Sequence, residues 1–353
     1  MTIPLRMLFF AGLTALAATL SAGGDAREDI GIPTPMTAVE QAQALSVMTY
    51  NVNGLPWPIA LGRDAALGRI ADRLAGMRRA GRQPHIVLLQ EAFIPEAGDI
   101  ARRAGYRHVA MGPDVTTRSG VVPTAGDLAF LDEARWDRGE RTAKQLGSGL
   151  IILSDYPVAK VERMAFPDFA CAGFDCLANK GVLLAQLRVP GIPGVVRVAN
   201  THLNARKASG VSTERSQRAY RRQAALLAEF LKRRVPQGTT LLIGGDLNIG
   251  KDADRARAFF GAFAGAGLDF VSARQGGLRR ALGETPAADG RARDDLLFAN
   301  RKGKDWLFAR TADGTPMPVR QAHVPFGSEP DGEPLSDHFG YVIDYAPTRG
   351  ARG

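Results

Sequence analysis

The sequence predicts a mixed α/β fold in which sheets and helices pack as layers around one core. Short apolar or alternating runs bounded by glycine, proline or asparagine recur between residues 46 and 345, and segments with helical periodicity separate several of them. The chain has 353 residues, of which 45% are hydrophobic and 23% charged, so it is long enough for one large domain. No internal repeat is visible, and we therefore expect a single layered domain over residues 46–347.

The N-terminus has the layout of a secretory signal peptide. Arg6 precedes an apolar run over residues 7–20, and small residues follow the run. The run is short for a membrane span, although a membrane-anchoring N-terminus is the alternative. We expect residues 1–26 to be a signal peptide, residues 27–45 to be a linker, and the mature protein to be secreted or periplasmic.

Apolar and alternating runs predict the strands, and the runs between residues 150 and 200 are typical of one antiparallel sheet. Strands are expected at residues 46–52, 85–89, 150–153, 158–166, 182–189, 195–200 and 239–243, and near Leu296 and Tyr341.

Helical spacing of apolar side chains predicts amphipathic helices over residues 64–79 and 213–234. Two further helices are expected near residues 96–103 and 254–263. Residues 112–147 are rich in glycine, threonine and charge, which indicates a long excursion over the surface.

One stretch, Leu241–Asn248, runs from an apolar strand through two glycines into polar residues. Asp246 and Asn248 are two residues apart, so both can point to the same side of an extended chain. Glycine permits a ligand to approach the backbone closely, while an ordinary turn would use the same residue types. The stretch alone leaves both interpretations open.

Four other strand ends carry polar groups of the same kind. A single buried histidine or carboxylate is usually a structural hydrogen-bonding group, but five such ends in one chain indicate a site. The groups are Asn51, Glu91, His202 with Asn204, Asp246 with Asn248, and Asp337 with His338.

These ends also resemble the ordered motifs of the endonuclease/exonuclease/phosphatase superfamily, the group that contains deoxyribonuclease I and neutral sphingomyelinases. The resemblance implies a four-layer sandwich, in which two mixed β-sheets pack face to face with helices outside, and the hydrolysis of a phosphate ester. The motifs are Thr-Tyr-Asn-Val-Asn at 49–53, Leu-Gln-Glu at 89–91, Asn-Thr-His-Leu-Asn at 200–204, Gly-Asp-Leu-Asn at 245–248 and Ser-Asp-His at 336–338.

The resemblance further implies a divalent metal, expected to be Mg²⁺ with Mn²⁺ or Co²⁺ as substitutes. Glu91 and Asn51 match the metal positions of the family, and hard oxygen ligands suit this ion. His338, held by Asp337, is expected to take the proton from the attacking water, with Asp246 orienting the water or the metal. The opposite assignment, with Asp246 as the base, stays open.

The remaining pocket positions follow from the same resemblance. His202 and Asn248 are expected to donate hydrogen bonds to phosphoryl oxygens, and Asn204 belongs to the same motif. Asp295 resembles the aspartate that supports a histidine from a position before a late strand, although the adjacent Asp294 leaves this placement ambiguous.

Within the superfamily, one segment resembles the sphingomyelinase branch. Asp175 and Lys180 are five residues apart before a glycine at a strand start, and their pairing in that branch helps to build the active site. An ordinary surface ion pair would look the same in sequence. Cys171 and Cys176 flank the aspartate closely, so a local disulfide is expected and a zinc site is not.

A loop after the first strand, with Leu55, Trp57 and Ile59 between prolines, could hold the protein at a membrane surface or fold back onto the core. The formal net charge of +9 indicates an anionic partner without distinguishing a phospholipid membrane from nucleic acid. Three functions therefore stay open, with the protein expected to be a monomer. They are a sphingomyelin phosphodiesterase that leaves ceramide and phosphocholine, an exported metal-dependent nuclease or other phosphoesterase of the same superfamily, and a non-catalytic binding module.

Overall fold

A computed structural model describes residues 44–284, 290–330 and 332–346. The predicted signal peptide, nearly all of the predicted linker and the last predicted domain residue, 347, lie outside these ranges.

Two mixed β-sheets form the centre of the fold. The first sheet contains β1 (Leu45–Gly54), β2 (Ile86–Ala92), β3 (His108–Met111), β4 (Ile151–Ser154), β10 (Val319–Phe326) and β11 (Gly340–Tyr345). The second sheet contains β5 (Val158–Ala165), β6 (Gly181–Leu187), β7 (Val196–His202), β8 (Leu241–Asp246) and β9 (Asp305–Arg310). Their strand orders are β10-β11-β1-β2-β4-β3 and β5-β6-β7-β8-β9.

Seven α-helices are present in the described part of the chain. They are α1 (Arg63–Arg79), α2 (Pro95–Arg103), α3 (Ala125–Asp132), α4 (Thr213–Arg234), α5 (Ala253–Gly265), α6 (Gly277–Glu284) and α7 (Arg291–Lys302). Among these residues, no helix is both long enough and apolar enough to cross a membrane.

Successive side chains along each strand point to opposite faces of its sheet, so each sheet packs against a different layer on each face. On β1, Val47 packs between the two sheets while the next residue, Met48, packs outward against the side of α1 and α2. On β8, Leu242 faces the same inter-sheet core, and Ile243 packs outward against α4 and α5. The result is the predicted four-layer sandwich, with two face-to-face sheets and helices outside.

A buried polar link crosses the space between the sheets. Asn200, on β7, donates from Nδ2 to the carbonyl oxygens of Leu89 and Ile151 in the other sheet, over 2.8 and 3.0 Å. Its oxygen accepts from the amide of Gln90 at 2.8 Å. Both polar side chains are fully buried. Since a buried polar group is costly without its partners, these bonds favour one placement of the sheets.

Several predicted elements are wrong in detail. Leu296 lies in helix α7 and not in a strand, because the apolar run 296–298 is one turn of a helix whose other positions are mostly charged. Residues 150–153 contribute to the first sheet, so they do not continue one antiparallel sheet with the strands that follow. Strand β8, for which no pairing is predicted, pairs with β7 in parallel. The expected surface excursion contains helix α3.

Replacing Asn200 with alanine should lower the free energy of unfolding by about 2–4 kcal/mol, because two carbonyl groups and one amide lose buried partners. Urea denaturation measures the effect. Asn300→Ala removes an exposed asparagine near the end of α7 and should change the same quantity by less than about 0.5 kcal/mol. Equal stability of the two variants would contradict the structural role of Asn200.

Candidate active site

Four strands deliver polar side chains to one edge of the sandwich. The carboxyl ends of β1 and β2 lie together because these strands are parallel, and the same holds for β7 and β8. In the second pair, His202 lies opposite Asp246 in the register. Asn51 of β1 donates from Nδ2 to Asp246 Oδ2 across 3.1 Å, which joins the two pairs at a single cluster.

Glu91 reaches this cluster by a break in the strand geometry. Gln90 already points between the sheets, so alternation alone would turn Glu91 toward the outer face. The backbone φ of Glu91 is 53°, in the left-handed region that L-residues with side chains rarely adopt. The carboxylate accepts from Asn51 Nδ2 at 2.9 Å. Strained backbone of this kind is typical of functional sites.

The cluster contains donor atoms that fit a hard divalent cation. Glu91, His202 and Asp246 each offer one atom, and these atoms lie within 4.8 Å of one another. Two of the three are carboxylates, which Mg²⁺ prefers. Burial raises the pKa of Glu91, while Asn51 lowers it by donating a hydrogen bond. A cation would favour the charged form of this acid.

The orientation of Asn51 bears on its predicted role as a metal ligand. Its Nδ2 lies between the carboxylates of Glu91 and Asp246, and its oxygen accepts from the backbone N–H of Asn53 at 3.0 Å. In this orientation Asn51 stabilises the two acids as a donor. Only the reversed amide would offer its oxygen to a cation.

His338 lies between two aspartates. Its Nδ1 is 2.7 Å from Asp305 Oδ2, and its Nε2 is 3.7 Å from Asp246 Oδ2. Burial would lower the pKa of His338, but the two carboxylates outweigh burial and raise it to about 10. At neutral pH the imidazole in this arrangement is therefore protonated, and it must lose that proton before it can accept one from water.

The predicted partner of His338 was wrong. Asp337 is exposed while His338 is buried, and the structure places Asp305 against the ring instead. Adjacent residues project their side chains in different directions, so sequence adjacency does not produce this contact.

The second predicted support, Asp295, is also wrong. It lies on α7 and accepts from the side chain of Ser328 at 2.7 Å, so it fastens that helix to the loop after β10. The aspartate that does support a histidine is Asp305, at the start of β9. Its position directly before the strand residues 306–309 was the available signal.

Lys304 is a site residue that the sequence interpretation missed. Its Nζ lies 3.4 Å from His338 Nε2, and together with His338 and His202 it lowers the pKa of Asp246 although burial acts in the opposite direction. Asp246 is therefore a carboxylate at neutral pH despite being 1% exposed.

His202 is neutral in this arrangement. Burial lowers its pKa to about 3, and the nearby ammonium of Lys180 acts in the same direction. Lys180 Nζ lies 3.1 Å from His202 Nε2, and an ammonium can only donate, so Nε2 accepts and Nδ1 carries the proton. Nδ1 has no hydrogen-bond partner among the described residues. His202 can donate from Nε2 to a phosphoryl oxygen, as predicted, only if Lys180 moves and the ring changes tautomer.

The pair of Asp175 and Lys180 is buried and is not an ordinary surface ion pair. The charged groups are 3.0 Å apart, and the side chains are 14% and 5% exposed. The second carboxylate oxygen of Asp175 accepts from the backbone N–H of Ala205, just beyond β7. The pair therefore connects the turn around residue 175 to His202 in the cluster.

A disulfide closes this turn. Cys171 and Cys176 are bonded, which confirms the predicted pairing. Asp175 lies inside the closed loop, on a short 3₁₀ helix, Gly173–Leu177. The backbone N–H of Gly173 donates to the buried carboxylate of Glu140 at 2.8 Å. The disulfide and this hydrogen bond both restrict where the Asp175 carboxylate can lie.

The two predicted asparagines make internal hydrogen bonds. Asn204 accepts from the backbone of Ala172 at 2.9 Å, so it fastens the disulfide loop and does not face the cluster. Asn248 donates from Nδ2 to the carbonyl of Leu203 at 2.9 Å, and its φ is 48°. Its backbone N–H donates to Asp246 Oδ1 at 2.9 Å, which orients that acid.

The loop after β1 exposes its apolar residues. Trp57 is 77% and Ile59 65% exposed, and Leu61, which was not singled out in the sequence, is 74% exposed. Leu55 is half-buried. The alternative that Trp57 and Ile59 fold back onto the core is therefore wrong.

Comparison with known proteins gives a family match over residues 48–338, to the Endonuclease/Exonuclease/phosphatase family. A phospholipase C of Staphylococcus aureus is 30% identical over 124 residues, which cover 34% of this chain and 36% of that protein. The match thus spans about a third of the length of this relative.

Solved structures share the fold at low identity. Beta toxin from Staphylococcus aureus with bound magnesium ions has a TM-score of 0.57 at 16% identity, over 86% of this chain and 99% of that one. Sphingomyelinase C from Streptomyces griseocarneus has a TM-score of 0.56 at 18% identity, over 85% of this chain and 99% of that one. D. rerio TDP2 complexed with single strand DNA product has a TM-score of 0.53 at 16% identity, over 86% of this chain and 98% of that one.

The likeness to these structures is one of fold, and the family match covers most of the sandwich and every strand end of the cluster. Together with the acids and histidines gathered there, it shows that the chain belongs to the Endonuclease/Exonuclease/phosphatase family.

Proposed function

We propose that the protein is an exported, Mg²⁺-dependent phosphodiesterase that hydrolyses sphingomyelin to ceramide and phosphocholine. The observation that carries the substrate assignment is the buried pair of Asp175 and Lys180, whose ammonium contacts His202 inside the cluster. The sequence segment that supplies this pair resembles the sphingomyelinase branch. An ion pair that only stabilised the surface would have no reason to contact His202 in the cluster.

The exposed apolar loop supports a substrate in a membrane. Trp57, Ile59 and Leu61 follow β1, whose end carries Asn51, so they leave the sandwich at the same edge as the cluster. Exposed aromatic and aliphatic side chains insert into the headgroup region of a bilayer, and positive charge attracts anionic lipids. The net charge of +9 fits such a surface.

Export is supported by the disulfide and by the predicted signal peptide. A disulfide between Cys171 and Cys176 is typical of a protein that folds in an oxidising compartment. The segment over residues 1–26 has the charge and the apolar length of a signal peptide.

Each residue of the cluster has a separate role in the proposed reaction. Glu91 and Asp246 would hold Mg²⁺, which when bound neutralises phosphate oxygens and the charge that develops on the leaving oxygen. His338 is the proton-transfer group, oriented by Asp305 through Nδ1. Lys304, whose Nζ lies 3.4 Å from His338 Nε2, would add a positive charge where the phosphoryl group binds.

A nuclease is the second candidate, because the same charge of +9 would bind a phosphate backbone. The non-catalytic binding module has less support, since a binder has no need for strained Glu91 or for the buried contact between His338 and Asp305.

The assignment of Asp305 is tested by two matched substitutions. Asp305→Asn should reduce turnover by about a hundredfold or more, because the ring of His338 loses the carboxylate that holds its Nδ1 and orients it. Asp337→Asn should leave turnover within about twofold, since this carboxylate is exposed and does not hold the ring. Turnover is measured with sphingomyelin vesicles and with bis(4-nitrophenyl) phosphate, and thermal unfolding checks the fold. The reverse order of effects would restore Asp337 as the partner.

The branch assignment is tested at Lys180. Lys180→Ala should lower phosphocholine release by about a hundredfold, because Asp175 loses its partner and His202 loses the donor that fixes its tautomer. Lys160→Ala removes an exposed lysine from β5 and should leave the rate unchanged. If Lys180→Ala is folded by circular dichroism and fully active, the reason for choosing this branch is lost.

The substrate is tested directly by comparing sphingomyelin vesicles with plasmid DNA, each with and without a chelator. We expect release of phosphocholine that the chelator abolishes and that added Mg²⁺ restores. Nicked DNA without phosphocholine release would decide for the nuclease. Hydrolysis of sphingomyelin that survives the chelator would contradict the metal requirement.

A further inference from the structure

A cavity adjoins the cluster on the side of the second sheet. Its volume is about 590 Å³, and it is bordered by Asn248 and Lys304, which contact Asp246 and His338 respectively. Its walls come from the segments after β7 and β8 and from the end of α7. Because β9 runs antiparallel to β8 and begins opposite Asp246, all three segments lie at the active-site edge.

The cavity carries a strong positive charge. Six basic side chains line its walls, namely Arg206, Lys207, Lys251, Arg301, Lys302 and Lys304. The only lining carboxylate in the described ranges is Asp252, which pairs with Arg206 at 2.9 Å. Lys207, Lys251 and Arg301 are exposed, and within those ranges no carboxylate lies at ion-pairing distance from them.

A buried arginine adds a further positive charge to the lining. Arg255 is 1% exposed and lines the cavity. It donates from Nη1 to the carbonyls of Asn204 and Asn248, over 2.6 and 3.0 Å, while its Nη2 has no hydrogen-bond partner within the described chain. A buried guanidinium group whose charge is not neutralised by a contacting carboxylate favours an anion nearby.

The charge of the cavity exceeds what the proposed substrate requires. Sphingomyelin carries one phosphate and a compensating ammonium, and the cluster around Asp246 and His338 accounts for that phosphate. The basic cavity beside it therefore matches a second anionic group whose charge is not compensated internally. A phosphate monoester or diester with a neutral substituent has this chemistry.

The exposed apolar loop favours a lipid as the source of this anion. Trp57, Ile59 and Leu61 emerge from the end of β1, and Asn51 of that strand contacts Asp246 at the end of β8, so loop and cavity share one edge. A bilayer accommodates aliphatic side chains and cations together, whereas the backbone of a nucleic acid offers aliphatic groups no comparable environment.

We propose that this cavity binds the headgroup of an anionic phospholipid that lies beside the substrate in the same leaflet. The inference rests on the proposed lipid substrate. Occupation of the cavity would hold the cluster above the membrane while a sphingomyelin headgroup enters it, so anionic lipid would act as an anchor next to the site and not as the substrate.

The test measures binding to phosphatidylcholine vesicles with and without phosphatidylglycerol, by co-sedimentation at fixed ionic strength. The vesicles contain no sphingomyelin. Lys251→Ala/Arg301→Ala should weaken binding to the phosphatidylglycerol vesicles by at least about tenfold, because two cations leave the proposed headgroup site. Both side chains are exposed, so the fold should persist, and thermal unfolding checks this.

The matched control is Arg79→Ala/Lys232→Ala, which removes the same charges from exposed positions at the ends of α1 and α4. These helices run from the active-site edge to the opposite edge, so their last residues lie beyond the screening distance of about 10 Å from a membrane at the site. Binding should change by less than about twofold. Equal weakening in both variants would show a general effect of net charge and overturn the proposal.

A second arm separates lipid from nucleic acid. If the Lys251→Ala/Arg301→Ala variant keeps its affinity for phosphatidylglycerol vesicles but loses affinity for a single-stranded oligonucleotide, the cavity binds a nucleic acid backbone and the proposal fails. Both binding measurements are made without hydrolysis, and phosphocholine release from sphingomyelin is measured separately. Vesicle binding through the cavity without phosphocholine release from sphingomyelin would overturn the proposed function and leave the headgroup site standing.

Discussion

Asn200 lies between the two sheets, and its hydrogen bonds fix how they face each other. The active-site cluster depends on this placement, because neither sheet carries a complete set of groups. Asn51, Glu91 and His338 come from the first sheet or its connections, while Asp246 and Asp305 come from the second. Sliding one sheet along the other by the length of one residue, about 3.3 Å, would separate the two halves, because the hydrogen bond from Asn51 to Asp246 spans only 3.1 Å.

The charged side chains of the cluster are neutralised by contacts with oppositely charged neighbours and not by solvent. The buried carboxylates of Asp246 and Asp305 share the imidazole of His338, and Lys180 offsets Asp175 while contacting His202. Burial of unpaired charges would cost several kcal/mol each, so every group constrains the position of its partner. The cost of this arrangement is reduced stability relative to an apolar core, which is acceptable where the geometry is used for chemistry.

Much of the fold followed from periodicity in the sequence. Helix α4 was predicted with its observed bounds, because its apolar spacing is regular and the helix is long. Helix α7 was not, since its Leu-Leu-Phe run is apolar enough to resemble a strand. At the site, Glu91 and Asp246 follow clear apolar strands and were found, whereas the partner of His338 depends on how β9 lies against the loop before β11. That contact is tertiary, and the local signal, an aspartate at the start of a strand, does not indicate which histidine it meets.

The central position of β1 links the beginning of the domain to its end. Strand β11, which closes the described chain, inserts between β10 and β1 and pairs with Leu45–Thr49 of β1. The first sheet therefore stays incomplete during synthesis until residues 340–345 have left the ribosome, and His338 arrives only just before them. Asn51 comes from the first strand of the domain and His338 directly precedes the last, so the two can meet only when β1 and β11 have paired.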